Sequence, residues 1–408
     1  MKIILPMPHL LHYFNLTLNK VNELPGVELI VVVPTSYDPM AAGGGLNQTR
    51  ENIKFRIIEM KQFKLGPYYS FKGWIRMLWM EKPNIIISDE TFMLPYILSI
   101  PTNLVMKLLK IKLIMQSIPY QLPLYRESFK RRNVEPNRID KLPNPLRFIV
   151  MNFGIEYILR RIRAYFNKIK YNRPDAHLNY VDDAFSVYGS YGVKKEKIFV
   201  TDNSTDTDAL AVSEKAVSGL PDILPESNYR IIHVGRLTKW KRVDLLIRSV
   251  AKLKDEFKNI ELVVVGEGPD EEYLKSLATE LKISERVIFT GGIYDSKLLA
   301  QYFKASALYV LAGVGGLSIN DAMFFGLPVI CSVCDGTEKK LVRNGFNGYL
   351  FEESSEEDLI RKISLVLSNS KERKKMGEMS RKIIDNEINI HTVLEKWQQA
   401  FDYVMRKK

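Results

Sequence analysis

The stretch "RIIHVGRLTKWK" places two cations, Arg236 and Lys241, on the segment that leaves an apolar strand. A planar guanidinium and a point-charged ammonium at the end of a buried strand suit a diphosphate, which gains charge as a bond to it breaks. A solvated surface can present the same pair. A second candidate is "GVGGLSINDAMFFGLPVI", residues 313–330, where a glycine-rich loop opens a helix that carries one acid, Asp321, and stops at Gly326-Leu327-Pro328. Such a loop offers backbone N–H groups and the positive end of the helix dipole to an anion. Between these two, Gly266 and Gly268 in "VVVGEGPDEEYL" have two readings: tight strand-to-helix turns, or close approach of backbone to ligand. In "VIFTGGIYDSKLLAQYF", backbone near Gly292, Ile293 and Tyr294 could bond a nucleobase edge, and packing is the other reading of Tyr294.

The elements that must position these residues follow from hydrophobic runs. "KIIL", "VELIVVVP", "PNIIIS" and "KLIMQS" in the first half read as strands buried on both faces, with helices expected over Leu10 to Val21 and Ser70 to Met80. From Arg230 the rhythm restarts with "RIIHVG", "IELVVVG", "RVIFTG", "ALYVLA" and "PVICSV", separated by helices such as Val243 to Phe257 and Asp270 to Lys282. The pattern predicts an α/β chain with two Rossmann-like doubly wound domains facing a central cleft, ligands sitting beyond the strand C-termini. The expected bounds are a first Rossmann-like domain over 1–205, a second over 206–385, and a last helix, 386–408, packing back on the first domain. The glycine-rich "SYDPMAAGGGLNQTR", 36–50, reads as a loop able to close over a ligand. "TFMLPYILSIPTNLVM", with two prolines, is too short to span a bilayer.

The ordered set "YGVKKEKIFVTDNSTDTD", "HVGRLTKWKRVDLLIRSV", "LVVVGEGPDEEYL", "VIFTGGI", the 313–330 stretch and "GTEKKLVRNGFNGYLF" resembles retaining GT-B glycosyltransferases, in particular glycosyltransferase family 4, the group 1 glycosyl transferases. The likeness covers about half the chain; the first half matches only as a general α/β pattern. It implies transfer of a sugar from a nucleoside diphosphate donor, of UDP or GDP type, to a saccharide or lipid-linked acceptor with retention, needing no metal and no cofactor. Residue by residue, it implies that Arg236 and Lys241 hold the donor diphosphate. Gly235, Gly266, Gly268 and Gly292 to Tyr294 would line the donor site, the last three near the base. The family's paired acids, two glutamates separated by seven residues, fall here on Gly313 and Asp321. The ribose role passes to Asp321, and the sugar-side acid is replaced by glycine, leaving the backbone of Val314, Gly315, Gly316 and Leu317, with the Ser318 hydroxyl, to orient the sugar. Glu338 stands where the family has an acid beginning another helix; a favourable acid in a first helical turn is its other reading. On the acceptor side, His9 and His12 are the candidates for the family's N-terminal histidine, and Asp89, in "ISDE", for an acceptor contact.

The net charge of +12 is uneven: residues 101–174 hold 16 Lys and Arg against 4 Asp and Glu. That density, interleaved with aromatics over 107–173, predicts contact with an anionic membrane surface or acceptor. In 145–173, Ile158, Ile162, Tyr165, Phe166 and Ile169 recur at helical spacing among arginines and lysines. They read either as a core-facing stripe or as a lipid-facing one. With no nucleic-acid module beside the charge, nucleic acid is not an expected partner. The two cysteines, Cys331 and Cys334, cannot build a disulfide scaffold, so a reducing cytoplasm is expected, with peripheral attachment to the inner membrane face. A catalytically silent nucleotide-sugar-binding protein is the alternative that Gly313 raises.

Overall fold

The computed structural model describes residues 1–10, 12–36, 52–66, 68–119, 122–129, 155–225, 227–334 and 336–406. The glycine-rich loop expected over 36–50 lies almost wholly outside the described residues, as does 130–154 of the basic segment. Two parallel sheets form. The first runs in the order β3-β2-β1-β6-β7-β8-β9, from Arg56–Met60 (β3), Glu28–Pro34 (β2), Lys2–Pro6 (β1), Ile85–Ser88 (β6), Lys112–Gln116 (β7), Ala176–Asn179 (β8) and Ile198–Val200 (β9). The second runs β12-β11-β10-β13-β14-β15, from Val287–Gly291 (β12), Glu261–Val265 (β11), Arg230–Val234 (β10), Leu308–Leu311 (β13), Val329–Ser332 (β14) and Gly348–Phe351 (β15). In each, the chain winds outward in one direction and then returns to add strands on the other side of the first one. Loops leaving the central strands at that reversal are splayed apart and open a crevice.

The strands form because their apolar runs have cover on both faces. Ile3, Ile4, Leu29 to Val32 and Ile85 to Ile87 are fully buried, as are Ile231, Ile232, Leu262 to Val264 and Leu308 to Leu311. One expectation needs correction. Ser70 and Phe71 belong to β5 (Tyr68–Phe71), which pairs antiparallel with β4 (Gln62–Leu65), and the helix starts only at Trp74. The hairpin wins because Phe71 stacks on Phe92, 5.1 Å between ring centroids, and so joins the core before the helix begins. The run from Thr91 is two helices, Glu90–Leu98 and Ile100–Leu108, divided at Ser99 and capped by Asp89 and Ser99. Among the described residues no helix is long and apolar enough to cross a membrane.

The last helix, Ile390–Arg406, packs on the first sheet although it follows the second domain. Val393, Trp397, Ala400, Phe401 and Val404 share a core with Ile3, Leu5, Val31 and Leu178. Trp397 is almost wholly buried and meets Phe401 edge to face. Trp397→Ala should lower unfolding free energy by about 3–5 kcal/mol through transfer and cavity terms. Urea unfolding followed by far-UV circular dichroism measures this, and a loss below about 1 kcal/mol would mean that the helix carries little of the first domain.

Candidate functional site

Backbone contacts between loops build the second domain's wall. Beyond β10, Gly235 N–H bonds Val265 O at 3.0 Å, and Leu237 N–H bonds Glu267 O at 3.0 Å. Glycines make this possible: a Cβ on Gly266 would lie 1.9 Å from Gly235 O, and one on Gly268 would lie 2.4 Å from Leu237 O. Glu267, held between them, accepts a hydrogen bond from the Tyr294 hydroxyl at 2.7 Å, and both side chains lie against Gly292. The two glycines after β11 therefore have a structural reason to be glycine whatever binds there.

The other side of the wall joins the turn Lys239–Lys241 to the 313–318 loop. Val314 N–H bonds Trp240 O at 2.8 Å. Lys241 Nζ donates to Val314 O at 2.9 Å and to Gly315 O at 2.8 Å. The Arg236 guanidinium lies over the Trp240 ring, 5.4 Å from its centroid, so a cation–π contact holds it at the strand end. Gly313 occupies the tightest point: a Cβ there would be 2.1 Å from Trp240 O and 2.6 Å from Lys241 C. The position is closed to any side chain, because backbone fills the space through which an acid would leave.

Asp321 follows on the helix Ser318–Phe324. Its Oδ1 has no hydrogen-bond partner among the described residues, and burial pushes its carboxyl up to about 7, opposed in part by Thr205. A carboxylate enclosed by protein with an unused acceptor atom is suited to paired hydroxyls, which would return the bonds that water supplied. Ser318 Oγ is already engaged with the Tyr309 hydroxyl at 2.7 Å. Backbone N–H groups of Gly315 and Gly316 have no acceptor among the described residues. Below β10, His233 is buried with Nδ1 3.1 Å from Val310 O, and burial lowers its pKa to about 4, keeping it neutral beneath Gly235.

A cavity of about 820 Å³ lies between the domains. It is lined by Gly235, Arg236, Lys241, Gly266, Gly292, Ile293, Tyr294, Val314, Gly315, Gly316, Leu317, Ser318 and Asp321 on one side and by His9 and Asp89 on the other. Two expected residues stand elsewhere. Gly268 is behind the wall, and Glu338 is fully buried with Oε2 accepting from Gly336 N at 3.1 Å and Cys334 N at 3.4 Å, so its carboxylate shapes the loop behind the cavity. The His12 side chain lies outside the described residues. Asp89 spends Oδ1 on Thr91 N, Thr91 Oγ1 and Phe92 N, and burial raises its pKa despite those bonds.

Sequence reasoning missed Trp240, Glu267, Tyr180, Asn203 and Thr205, all at the cavity. Trp240 and Glu267 were legible in principle, since each sits inside a motif beside a residue already singled out. Thr205, which faces Asp321, also lies inside a quoted motif, "YGVKKEKIFVTDNSTDTD", whereas Tyr180, which receives the Gln116 amide at 2.9 Å, comes from a segment with no local signal.

Comparison with known proteins places this geometry in a wider set. Residues 222–383 match the family model described as glycosyl transferases group 1. An uncharacterized glycosyltransferase of Haemophilus influenzae is 30% identical over 174 residues, which are 42% of this chain and 48% of the relative. The chain thus spans about half the length of the curated relatives it matches. The crystal structure of Anabaena HepE in complex with UDP superposes with a TM-score of 0.67 at 15% identity, covering 98% of this chain and 99% of that one. A glycosyltransferase from Rickettsia africae also reaches 0.67, at 16% identity, covering 100% and 99%. The fold is GT-B: two Rossmann-like domains about a cleft.

Gly313→Glu should therefore damage the wall instead of adding a useful acid, whereas Gly316→Ala, whose Cβ would meet no backbone but the end of the Lys241 side chain at 3.2 Å and Ser318 Oγ at 3.8 Å, should be milder. The expected cost is about 1–3 kcal/mol or more for the first and under about 1 kcal/mol for the second. Thermal unfolding of both variants measures it, and equal melting temperatures would contradict the closed geometry.

Proposed function

We propose that the protein is a retaining glycosyltransferase that moves a sugar from a nucleoside diphosphate sugar to a saccharide or lipid-linked acceptor, working at the cytoplasmic face of a membrane. The observation that carries this reading is the convergence of Arg236, Lys241, the 313–318 loop and Asp321 on one interdomain cavity. The group 1 match over 222–383 and the UDP held by the HepE neighbour support it.

In this reading the diphosphate lies between Arg236 and Lys241, near the backbone N–H groups of Gly315 and Gly316, and the base lies against Ile293 with Glu267 and Tyr294 beside it. Asp321 accepts the ribose hydroxyls. During transfer the bond from the anomeric carbon to the phosphate oxygen breaks with its electron pair going to phosphate. The acceptor oxygen bonds the same face of that carbon, and its proton passes to the departing phosphate. Arg236 and Lys241 offset the charge that develops there, and the ammonium of Lys241 is preset because the Val314 and Gly315 carbonyls fix it. The acceptor enters from the first-domain wall of His9, Asp89 and Gln116. A second reading, donor binding without turnover, draws on one observation: position 313 has no room for the sugar-side acid.

Thermal shift with UDP, GDP and their sugars, joined to donor consumption in the presence of membrane lipid extract, separates the two. The first reading expects both a shift and turnover, the second a shift alone, and no shift with any nucleotide contradicts both. Arg236→Ala should remove the shift, since loss of a charge-assisted diphosphate contact costs about 2–3 kcal/mol, or a factor of roughly 30 to 150 in affinity.

Asp321 adds a pH test. Its carboxyl in the unliganded protein stays protonated up to about 7, so a ligand that needs the carboxylate must displace a proton below that value. Affinity for an intact nucleotide sugar should rise from pH 5 to about 7 and then level off, by at most about tenfold per unit for one proton. Asp321→Asn should bind more weakly at pH 8 and lose this slope, as measured by isothermal titration. A slope unchanged in that variant would remove Asp321 from the site.

A further inference from the structure

The helix Ile155–Asn172 is mounted with its apolar side outward. At 100° per residue Ala164 and Tyr171 share one side, and both are buried. Ile158, Ile162, Tyr165, Phe166 and Ile169 lie on the opposite side and are 44–58% exposed. A surface helix that packs by the hydrophobic effect does the reverse. Here Tyr171 seats the C-terminal end of the helix among Tyr188 and Tyr191, and polar contacts add to that hold. Lys170 Nζ bonds Glu90 at 2.9 Å, Arg173 donates to Asn103 at 2.8 Å, and Lys168 lies over the Tyr125 ring.

A second outward stripe stands beside it. On the helix Ile100–Leu108, Ile100, Leu104 and Leu108 recur every four residues and are 56–80% exposed, while Thr102, Val105 and Met106 face inward. Asn103, at the edge of this stripe, is the residue that receives Arg173, so the two helices border one another. Exposed lysines and arginines flank both stripes: Lys107, Lys110, Arg161, Arg163 and Lys168. Apolar side chains standing out from a cationic border match one solvent, the headgroup zone of an anionic bilayer, where the alkyl groups enter the acyl boundary and the cations meet phosphate.

We propose that these two helix faces together form a landing surface for an anionic phospholipid membrane. The reading deepens the membrane contact suggested by the charge of 107–173, and rests on the glycosyltransferase reading only for its purpose. Lys170 fastens the surface to Glu90, next to the cavity-lining Asp89, so the acceptor wall of the cleft is brought to the bilayer. An acceptor anchored in that bilayer by a lipid tail would meet the cleft without leaving the membrane. Charge complementarity selects the occupant: the sequence segment 101–174, to which both helices belong, carries 16 basic against 4 acidic side chains.

Flotation of the full chain with phosphatidylcholine vesicles, with and without about one-third phosphatidylglycerol, tests the surface. Binding should be at least about tenfold stronger to the anionic vesicles and should fall about tenfold in Ile162→Glu/Phe166→Glu and in Leu104→Glu. Tyr273→Glu, which adds the same charge at an exposed apolar residue of the second domain, should change nothing. All are surface changes, so melting temperatures should stay within a few degrees. Nucleotide binding measured without vesicles reports separately on the donor site. The proposal is overturned by absence of vesicle binding, or by variants that bind as the parent does. It is equally overturned if high salt removes all binding while the apolar variants are unaffected, or if those variants abolish self-association instead of lipid binding.

Discussion

The main-chain contact between Trp240 and Val314 is the constraint on which the cleft depends. It joins the loop after β10 to the loop after β13, the two strands at the reversal of the second sheet. With that bond made, Lys241 can reach the carbonyls of residues 314 and 315, the helix bearing Asp321 is fixed in direction, and nothing larger than hydrogen fits at residue 313. The same device recurs across β10, where Gly266 and Gly268 lie against the backbone of residues 235 and 237. Hydrogen-bonded backbone makes a stiffer wall than side chains can, because few rotatable bonds separate its dipoles from the ligand.

The two domains are joined by contacts of unequal strength. The helix Ile390–Arg406 carries a block of buried apolar side chains from the end of the second domain into the first, and burial of that kind is worth several kcal/mol. Elsewhere the link includes ion pairs, Lys340 with Asp182 and Asp202, Lys339 with Asp183, and Lys20 with Asp208, which His391 also meets, and a hydrogen bond from the Asn320 amide to Asn203 O at 3.1 Å. The Lys339–Asp183 pair is exposed and contributes about 0–1 kcal/mol, weakening with salt, while Lys340–Asp202 and Lys20–Asp208 are partly buried. One face of the interdomain contact is thus anchored and the other is easily adjusted.

Electrostatic design differs between the halves. In the second domain the cations that matter are few and individually placed: Arg236 on Trp240, Lys241 on two carbonyls. In the first, positive charge is spread over two helices, each of which also turns a stripe of apolar residues outward. A point ligand calls for the first arrangement and an extended anionic surface for the second.

Much of the fold was legible along the chain because continuous Ile, Val and Leu runs leave little choice: a strand covered on both faces is their stable solution. Arg236, Lys241, the glycines and Asp321 could be singled out for a related reason, since each owes its place to residues immediately before and after it. β8, "AHLN", carried no such signal; its His177 and Asn179 are buried only because neighbouring elements cover them. Ser70 and Phe71 were misread because helical periodicity could not anticipate the stack on Phe92. Sequence spacing also left open which way the Ile155–Asn172 stripe points, and whether Glu338 is a site acid or only a favourable acid in a first helical turn; its Oε2 accepts from Gly336 N. Gly313 marks the division most sharply. The sequence alone determined that no acid stands there; only the tertiary structure decided why, by bringing the carbonyl of residue 240, more than seventy positions away, into the space a Cβ would need. Local pattern dictates what each segment becomes, but a steric exclusion belongs to the pair of segments that meet, and neither one encodes it alone.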